Sequence, residues 1–276
     1  MLSNNDPLKQ TIHARGISMT LTMIDGPSGK IATYCAATDT KPTLVFVHGD
    51  SARASQWDAV IVLLGQKVRS ISYDGRGHGA SDQAQDGIYT YAARAADLAS
   101  VVRHYALRDY IVVAHSGAAG AVLEYATKAT NLTGIFLVEP ATDPQVMSQD
   151  TRDGFVAALA GPDALSAIQG YYASIAGPDP TIIAQVQQDA ATTHKAARLD
   201  LAKALADWNP EPTLTGYTGP IASLITAPND TDAALYHLHS NMAHKVTSTP
   251  GHWPHLDTPQ TVADEIMTFI MGLDSK

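Results

Sequence analysis

The stretch Ile111-Val-Val-Ala-His-Ser-Gly-Ala-Ala-Gly120 constrains this chain more than any other. A run of apolar, β-branched residues ends at a serine, and small residues continue from it to Lys128 at helical spacing. Ala114 and Ala118 stand two residues either side of Ser116. Where a buried strand turns sharply into a helix, neighbouring backbones are pressed together and only small side chains fit at those flanks. Such a turn holds the Ser116 hydroxyl out at the top of a sheet, beside a helix N-terminus whose N–H groups can stabilise developing negative charge.

The rest of the chain repeats the strand-then-helix pattern. Residues 8–24 and 30–36 read as strands joined by the turn Gly26-Pro27-Ser28-Gly29. Further strands are expected at 42–47, 68–73, 110–114, 132–138, 221–226 and 245–248. Helices are expected at 57–65, 90–105, 118–128, near 232–241 and at 258–271. Short apolar strands alternating with helices predict an α/β fold: a mostly parallel, doubly wound sheet of about eight strands. Between 141 and 215 strand signals vanish and Ala, Gln and Asp dominate, with helical stretches divided by Gly161-Pro162, Gly177-Pro178 and Asn209-Pro210. We read 1–140 and 216–276 as one core domain and 141–215 as a helical cap inserted over the carboxyl edge of the sheet.

Three more segments fall beside the serine turn in chain order. Val45-Phe-Val-His-Gly-Asp50 ends the third strand, and Ser72-Tyr-Asp-Gly-Arg-Gly-His-Gly-Ala-Ser-Asp82 follows the fourth. Thr249-Pro-Gly-His-Trp-Pro-His-Leu-Asp-Thr-Pro259 follows the last. Together they resemble the α/β-hydrolase superfamily: its nucleophile elbow with both glycines replaced by alanine, its His-Gly oxyanion loop, its Asp-x-Arg-Gly turn and its Gly-His loop. The resemblance covers roughly 40–140 and 218–272. It implies Ser116 as nucleophile, His252 as general base, and the backbone N–H groups of Asp50 and Gly117 as the oxyanion hole. The Asp50 carboxylate is free, on this reading, to face either the pocket or solvent.

The superfamily puts its acid after either of two strands. Ile225-Thr-Ala-Pro-Asn-Asp230 favours Asp230, and Glu139, ending Phe136-Leu-Val-Glu139, is the alternative. Either carboxylate would orient the His252 ring and stabilise its charged form. His48, Gly49, His115, Trp57, Tyr171, Tyr172 and Trp253 are candidates for the substrate pocket.

No cofactor or metal is expected. Gly75, Gly77 and Gly79 miss the dinucleotide spacing because Ala80 stands where the last glycine belongs, and His252-x-x-His255 lacks the further ligands of a zinc motif. The partner is a small-molecule substrate. With 18 Lys+Arg against 27 Asp+Glu, a net charge of −9 and no basic run, neither nucleic acid nor an anionic membrane surface is expected. No segment approaches the ~18 apolar residues of a membrane span, the first ten residues hold no apolar leader, and Cys35 is the lone cysteine, so a cytoplasmic location is expected.

A serine at the elbow argues against dehalogenase or epoxide-opening chemistry, which use a carboxylate there. The resemblance implies a serine esterase or lactonase acting on a small or medium acyl group through an acyl-enzyme. Alternatives on the same fold are a carbon–carbon bond hydrolase, a cofactor-free dioxygenase (a group that shares a histidine before the serine, as His115 is here), and a slow-turnover receptor-like binding protein.

Overall fold

A computed structural model describes residues 9–14, 17–36, 38 and 40–274. Among these residues nine strands form one sheet: β1 (Lys9–Ala14), β2 (Ile17–Gly26), β3 (Gly29–Ala36), β4 (Thr43–Val47), β5 (Arg69–Tyr73), β6 (Tyr110–Ser116), β7 (Leu132–Pro140), β8 (Ile221–Thr226) and β9 (Ala243–Thr247). Their spatial order is β1-β2-β3-β5-β4-β6-β7-β8-β9. β4 to β9 run parallel, and β1 to β3 form an antiparallel flank that joins at β5. The expected α/β class and mostly parallel sheet hold. The sheet gains a ninth strand because the segment expected as one strand over 8–24 supplies two, β1 and β2, paired antiparallel.

The helices are α1 (Asp58–Leu64), α2 (Tyr91–His104), α3 (Ala118–Ala126), α4 (Gln149–Ala160), α5 (Ala164–Ile175), α6 (Pro180–Thr192), α7 (Lys195–Ala206), α8 (Glu211–Gly216), α9 (Pro254–Asp257) and α10 (Pro259–Asp274). Their starts follow local chemistry. The Thr90 hydroxyl accepts the Ala93 N–H, the Ser148 hydroxyl accepts the Thr151 N–H, and Asp179 caps α6 ahead of Pro180. The helix expected near 232–241 is absent. That segment holds one short 3₁₀ turn, Leu235–His237. Tyr236 instead stacks flat on His244 of β9, ring centres 3.7 Å apart.

Alternation along the central strands fills both faces of the sheet. Val45, Val112, Ile135 and Leu137 pack with Leu98 and Val101 of α2 and with α3. Leu44, Phe46, Ile111, Val113 and Phe136 pack with α1 and α10. Both faces are buried, as continuous apolar strands require. Helices α4 to α8 occupy the connection from β7 to β8, and a separate apolar cluster beneath them takes in Ile168, Tyr172, Val186 and Trp253. They are tied to the sheet's carboxyl end by polar contacts. Tyr172 Oη donates to the Asp50 carbonyl at 2.7 Å, Gln56 Nε2 donates to Asp189 at 2.7 Å, and the His252 N–H donates to the Ile175 carbonyl at 2.8 Å. No helix among the described residues is long and apolar enough to cross a membrane.

Candidate active site

Ser116 closes β6 with φ +54°, in the left-handed region that costs a residue with a Cβ about 1–3 kcal/mol. The strain comes from the turn into α3, which starts two residues later. Ala114 and Ala118 are both completely buried, which explains the small residues at those positions. Gly117 is equally constrained, since a Cβ there would lie 2.1 Å from the Asp50 carboxylate. Glu139 on the neighbouring strand is strained in the same way, φ +47°. The β6–β7 register shifts between His115 and Ser116, so that Ser116 lies opposite Pro140. These two strained turns set Ser116 and Glu139 beside each other.

His252 joins them from the loop before α9. Its Nε2 is 2.8 Å from Ser116 Oγ, and its Nδ1 is 3.5 Å from Glu139 Oε1. A ring placed this way keeps its proton on Nδ1, facing the carboxylate, and offers Nε2 to the serine hydroxyl. Gly251 lets the loop pass close under the inserted helices, because a Cβ there would sit 2.3 Å from the Ala176 carbonyl.

Of the two candidate acids, the structure brings Glu139 and not Asp230 to His252. Asp230 is exposed and accepts a hydrogen bond from Tyr236 Oη at 2.6 Å; the 3₁₀ turn Ala227–Asn229 after β8 has carried it outward. Glu139 is buried, and its carboxylate accepts from the Thr226 N–H, the Thr226 hydroxyl and Asn229 Nδ2, each at 2.6 Å. Three donors to one carboxylate fix its orientation. The segment read as an acid motif thus supplies the donors that hold Glu139 on the neighbouring strand.

The loop after β4 is held just as firmly. Arg94 of α2 donates to the Asp50 carboxylate at 2.6 Å and to the His48 carbonyl at 2.6 Å, and Tyr91 Oη donates to Asp50 at 3.2 Å. The Asp50 carboxylate therefore turns inward against Gly117, not out to solvent. Burial pushes its pKa up, against the pull of Arg94 and Tyr91. Asp50 and Gly117 are brought into contact beside Ser116, and the pairing with Arg94 offsets the negative charge an anionic intermediate would otherwise meet.

Several expected pocket residues lie outside it. Trp57 is completely buried against Phe46 and stacks on His255, ring centres 4.4 Å apart. His48 is buried; its Nδ1–H donates to the Gly49 carbonyl at 2.7 Å and its Nε2 accepts the Gly75 N–H at 2.9 Å. Gly49 packs on His115, where a Cβ would lie 2.7 Å from Nδ1. His115 sits under the site, and its Nε2–H donates to the His252 carbonyl at 2.8 Å. Trp253 belongs to the apolar cluster of the inserted helices. Burial holds His48 and His115 well below the ordinary histidine pKa and brings His78 and His255 down to about 3. These histidines are neutral packing groups because no acid partners them.

Tyr171 and Tyr172 do line a cavity of about 400 Å³ above Ser116, with Phe155, Leu159, Ile168 and Leu201. That volume suits a small or medium ligand. Ser116, Glu139 and His252 border its floor. Among the described residues no group of three or more His, Cys, Asp or Glu could hold a metal ion. The reading from sequence missed Arg94, Tyr91, Thr226 and Asn229. Arg94 carried a signal, a charged residue among the apolar positions of α2.

Fold and site together define a class, in which a serine is carried on the strained strand–helix turn of a doubly wound sheet. The sequence profile of the alpha/beta hydrolase family matches residues 44–265, and the chain belongs to that family. A non-heme haloperoxidase of Rhodococcus erythropolis is 32% identical over 127 residues, 42% of this chain and 46% of the relative, so the match spans less than half the relative's length. The bromoperoxidase structure from Bacillus anthracis superposes with a TM-score of 0.79 at 16% identity, covering 91% of this chain and 99% of that one. An esterase structure from Exiguobacterium antarcticum gives 0.78 at 20% identity, with 91% and 99% covered.

Proposed function

We propose that this protein is a serine hydrolase that cleaves small or medium carboxylic esters or lactones through an acyl-enzyme. The observation that carries this reading is the chain of contacts from Ser116 Oγ through His252 to Glu139, at 2.8 and 3.5 Å. His252 Nε2 takes the proton as Ser116 Oγ attacks the substrate carbonyl. The buried Glu139 carboxylate stabilises the charged ring that results, in the place expected of Asp230. The N–H groups of Asp50 and Gly117 receive the oxyanion. His252 then protonates the leaving alcohol, and water, deprotonated by the same ring, releases the acid and restores Ser116.

The apolar wall of the cavity supports an aliphatic acyl group, and residues 141–215 act as the cap that carries that wall. Esterase and haloperoxidase names both occur among the similar proteins. The activated serine favours ester chemistry. His115, the residue that suggested a dioxygenase, lies beneath His252 and outside the cavity, so it does not support that alternative.

The test is intact-mass measurement after exposure to a serine-directed fluorophosphonate, followed by turnover of a panel of 4-nitrophenyl esters and lactones. A single adduct on wild type, absent from Ser116→Ala, together with ester turnover, is expected. Ester turnover undiminished in Ser116→Ala would contradict the proposal.

A further inference from the structure

The cavity wall carries one strong cation. Arg198 is the single Lys or Arg among the lining residues, on the same stripe of α7 as Leu201, Ala202 and Leu205, which also line the cavity. One of its nitrogens, Nη1, donates to the carbonyls of Ala190 (3.0 Å) and Thr193 at the end of α6, which fixes the guanidinium plane. Nε and Nη2 bond nothing among the described residues.

Among the described residues three other buried or half-buried arginines meet acids, while Arg69 and Arg152 bond only neutral groups and lie outside the cavity. Arg76 meets Asp97, Arg94 meets Asp50 and Arg53 meets Asp189. Arg198 has no carboxylate partner among the described residues. The two acids on the cavity wall are already engaged, Asp50 by Arg94 and Glu139 by Thr226, Asn229 and His252. Burial pulls the Arg198 pKa down with no acid to offset it. A half-buried cation without a counter-charge is costly unless a ligand supplies one. A guanidinium with Nε and one Nη free presents the fork that takes a carboxylate through two parallel hydrogen bonds.

We propose that Arg198 is a specificity-determining residue that binds a carboxylate on the substrate, so that the preferred ester carries an acid group separated from the scissile carbonyl by an apolar spacer. This rests on the ester-hydrolase reading above. The spacer lies along the aliphatic stripe of α7, and the ester carbonyl reaches Ser116 on the floor.

The experiment compares mono-4-nitrophenyl suberate with 4-nitrophenyl octanoate, esters of equal chain length that differ in the terminal carboxylate. Wild type is expected to favour the suberate monoester in kcat/KM. Arg198→Gln keeps an N–H for the α6 carbonyls but loses the charge. It should cut the suberate-to-octanoate ratio by roughly tenfold or more, mainly through KM, and Arg198→Lys should recover part of it. The ratio cancels any general loss of active fold. Calorimetric binding of free suberate to Ser116→Ala gives a readout without turnover, expected to disappear in the Ser116→Ala/Arg198→Gln protein. Suberate binding that depends on Arg198, with neither ester turned over, would sink the hydrolase reading and keep the anion site. Turnover of both esters at a ratio that Arg198→Gln leaves unchanged, with no suberate binding, would overturn the anion site and keep the hydrolase.

Discussion

The ends of β7 and β8 lie side by side, and each is followed by an acid at the carboxyl edge of the sheet. They have opposite fates. At β7 the last residues fold back through a positive φ at Glu139, and the carboxylate is buried among three donors and His252. At β8 a 3₁₀ turn carries Asp230 into solvent, where Tyr236 is its partner. A carboxylate that touches the histidine only in one of these places shows what makes an acid serve a site. On the proposed reading the requirements are a buried position and a geometry fixed by several donors, and proximity in sequence to a motif is not among them.

The largest way to break this comparison is at the group both acids would serve. Ser116→Ala should lower kcat for ester cleavage by roughly four to six orders of magnitude, measured on a chromogenic ester. Next is the pair of acids themselves. Glu139→Gln should cost about 10⁴-fold in kcat, because the amide can no longer stabilise the charged His252 ring, whereas Asp230→Asn should stay within about twofold. Steady-state rates of the two variants under one condition decide between them.

A smaller effect sharpens the β7 side. Asn229→Ala removes one 2.6 Å donor from Glu139 and should lower kcat about tenfold with KM little changed. Unchanged kcat in that variant would mean that the clamp is not needed.

The smallest expected effect concerns stability around the site. His78 and His255 are held at about 3, and His48 and His115 well below the ordinary value near 6.5. Below about pH 6.5 the unfolded chain takes up protons that the buried rings refuse. Stability is therefore fully present above pH 6.5 and falls as pH drops toward 3. Asp50, Asp74 and Asp189, whose pKa values burial raises, oppose this as they take up protons. Thermal midpoints from pH 7.5 to 5 should decline, and His255→Phe, which keeps a ring on Trp57 without the titrating nitrogens, should flatten the decline. An identical slope in that variant would contradict the assignment.

Much of the fold was legible because apolar strands, small residues at a tight turn and Gly/Pro breaks are local signals. The α/β sheet and the tight turn at Ser116 follow from them, while His252 is marked by the likeness of its Gly-His loop to the α/β-hydrolase superfamily. What the local signals do not reach is the placement of side chains between elements. The choice between Glu139 and Asp230 depends on the β6–β7 register and on where a 3₁₀ turn points, and neither is written in the five or six residues around each acid. Trp57 and His48 resemble pocket residues in sequence, yet lie beneath the loop that forms the floor. Arg198 is one charged residue in an Ala-rich stretch, and only the fold shows that it faces a cavity.

The most direct measurement is the rate at which a fluorophosphonate labels Ser116 in wild type, Glu139→Gln and Asp230→Asn, followed by intact mass. Labelling reads nucleophile activation without any assumption about substrate. The account predicts that Asp230→Asn labels as fast as wild type and that Glu139→Gln labels at least a hundredfold more slowly. Fast labelling of Glu139→Gln with slow labelling of Asp230→Asn would contradict it and return the role to the exposed acid at the end of β8.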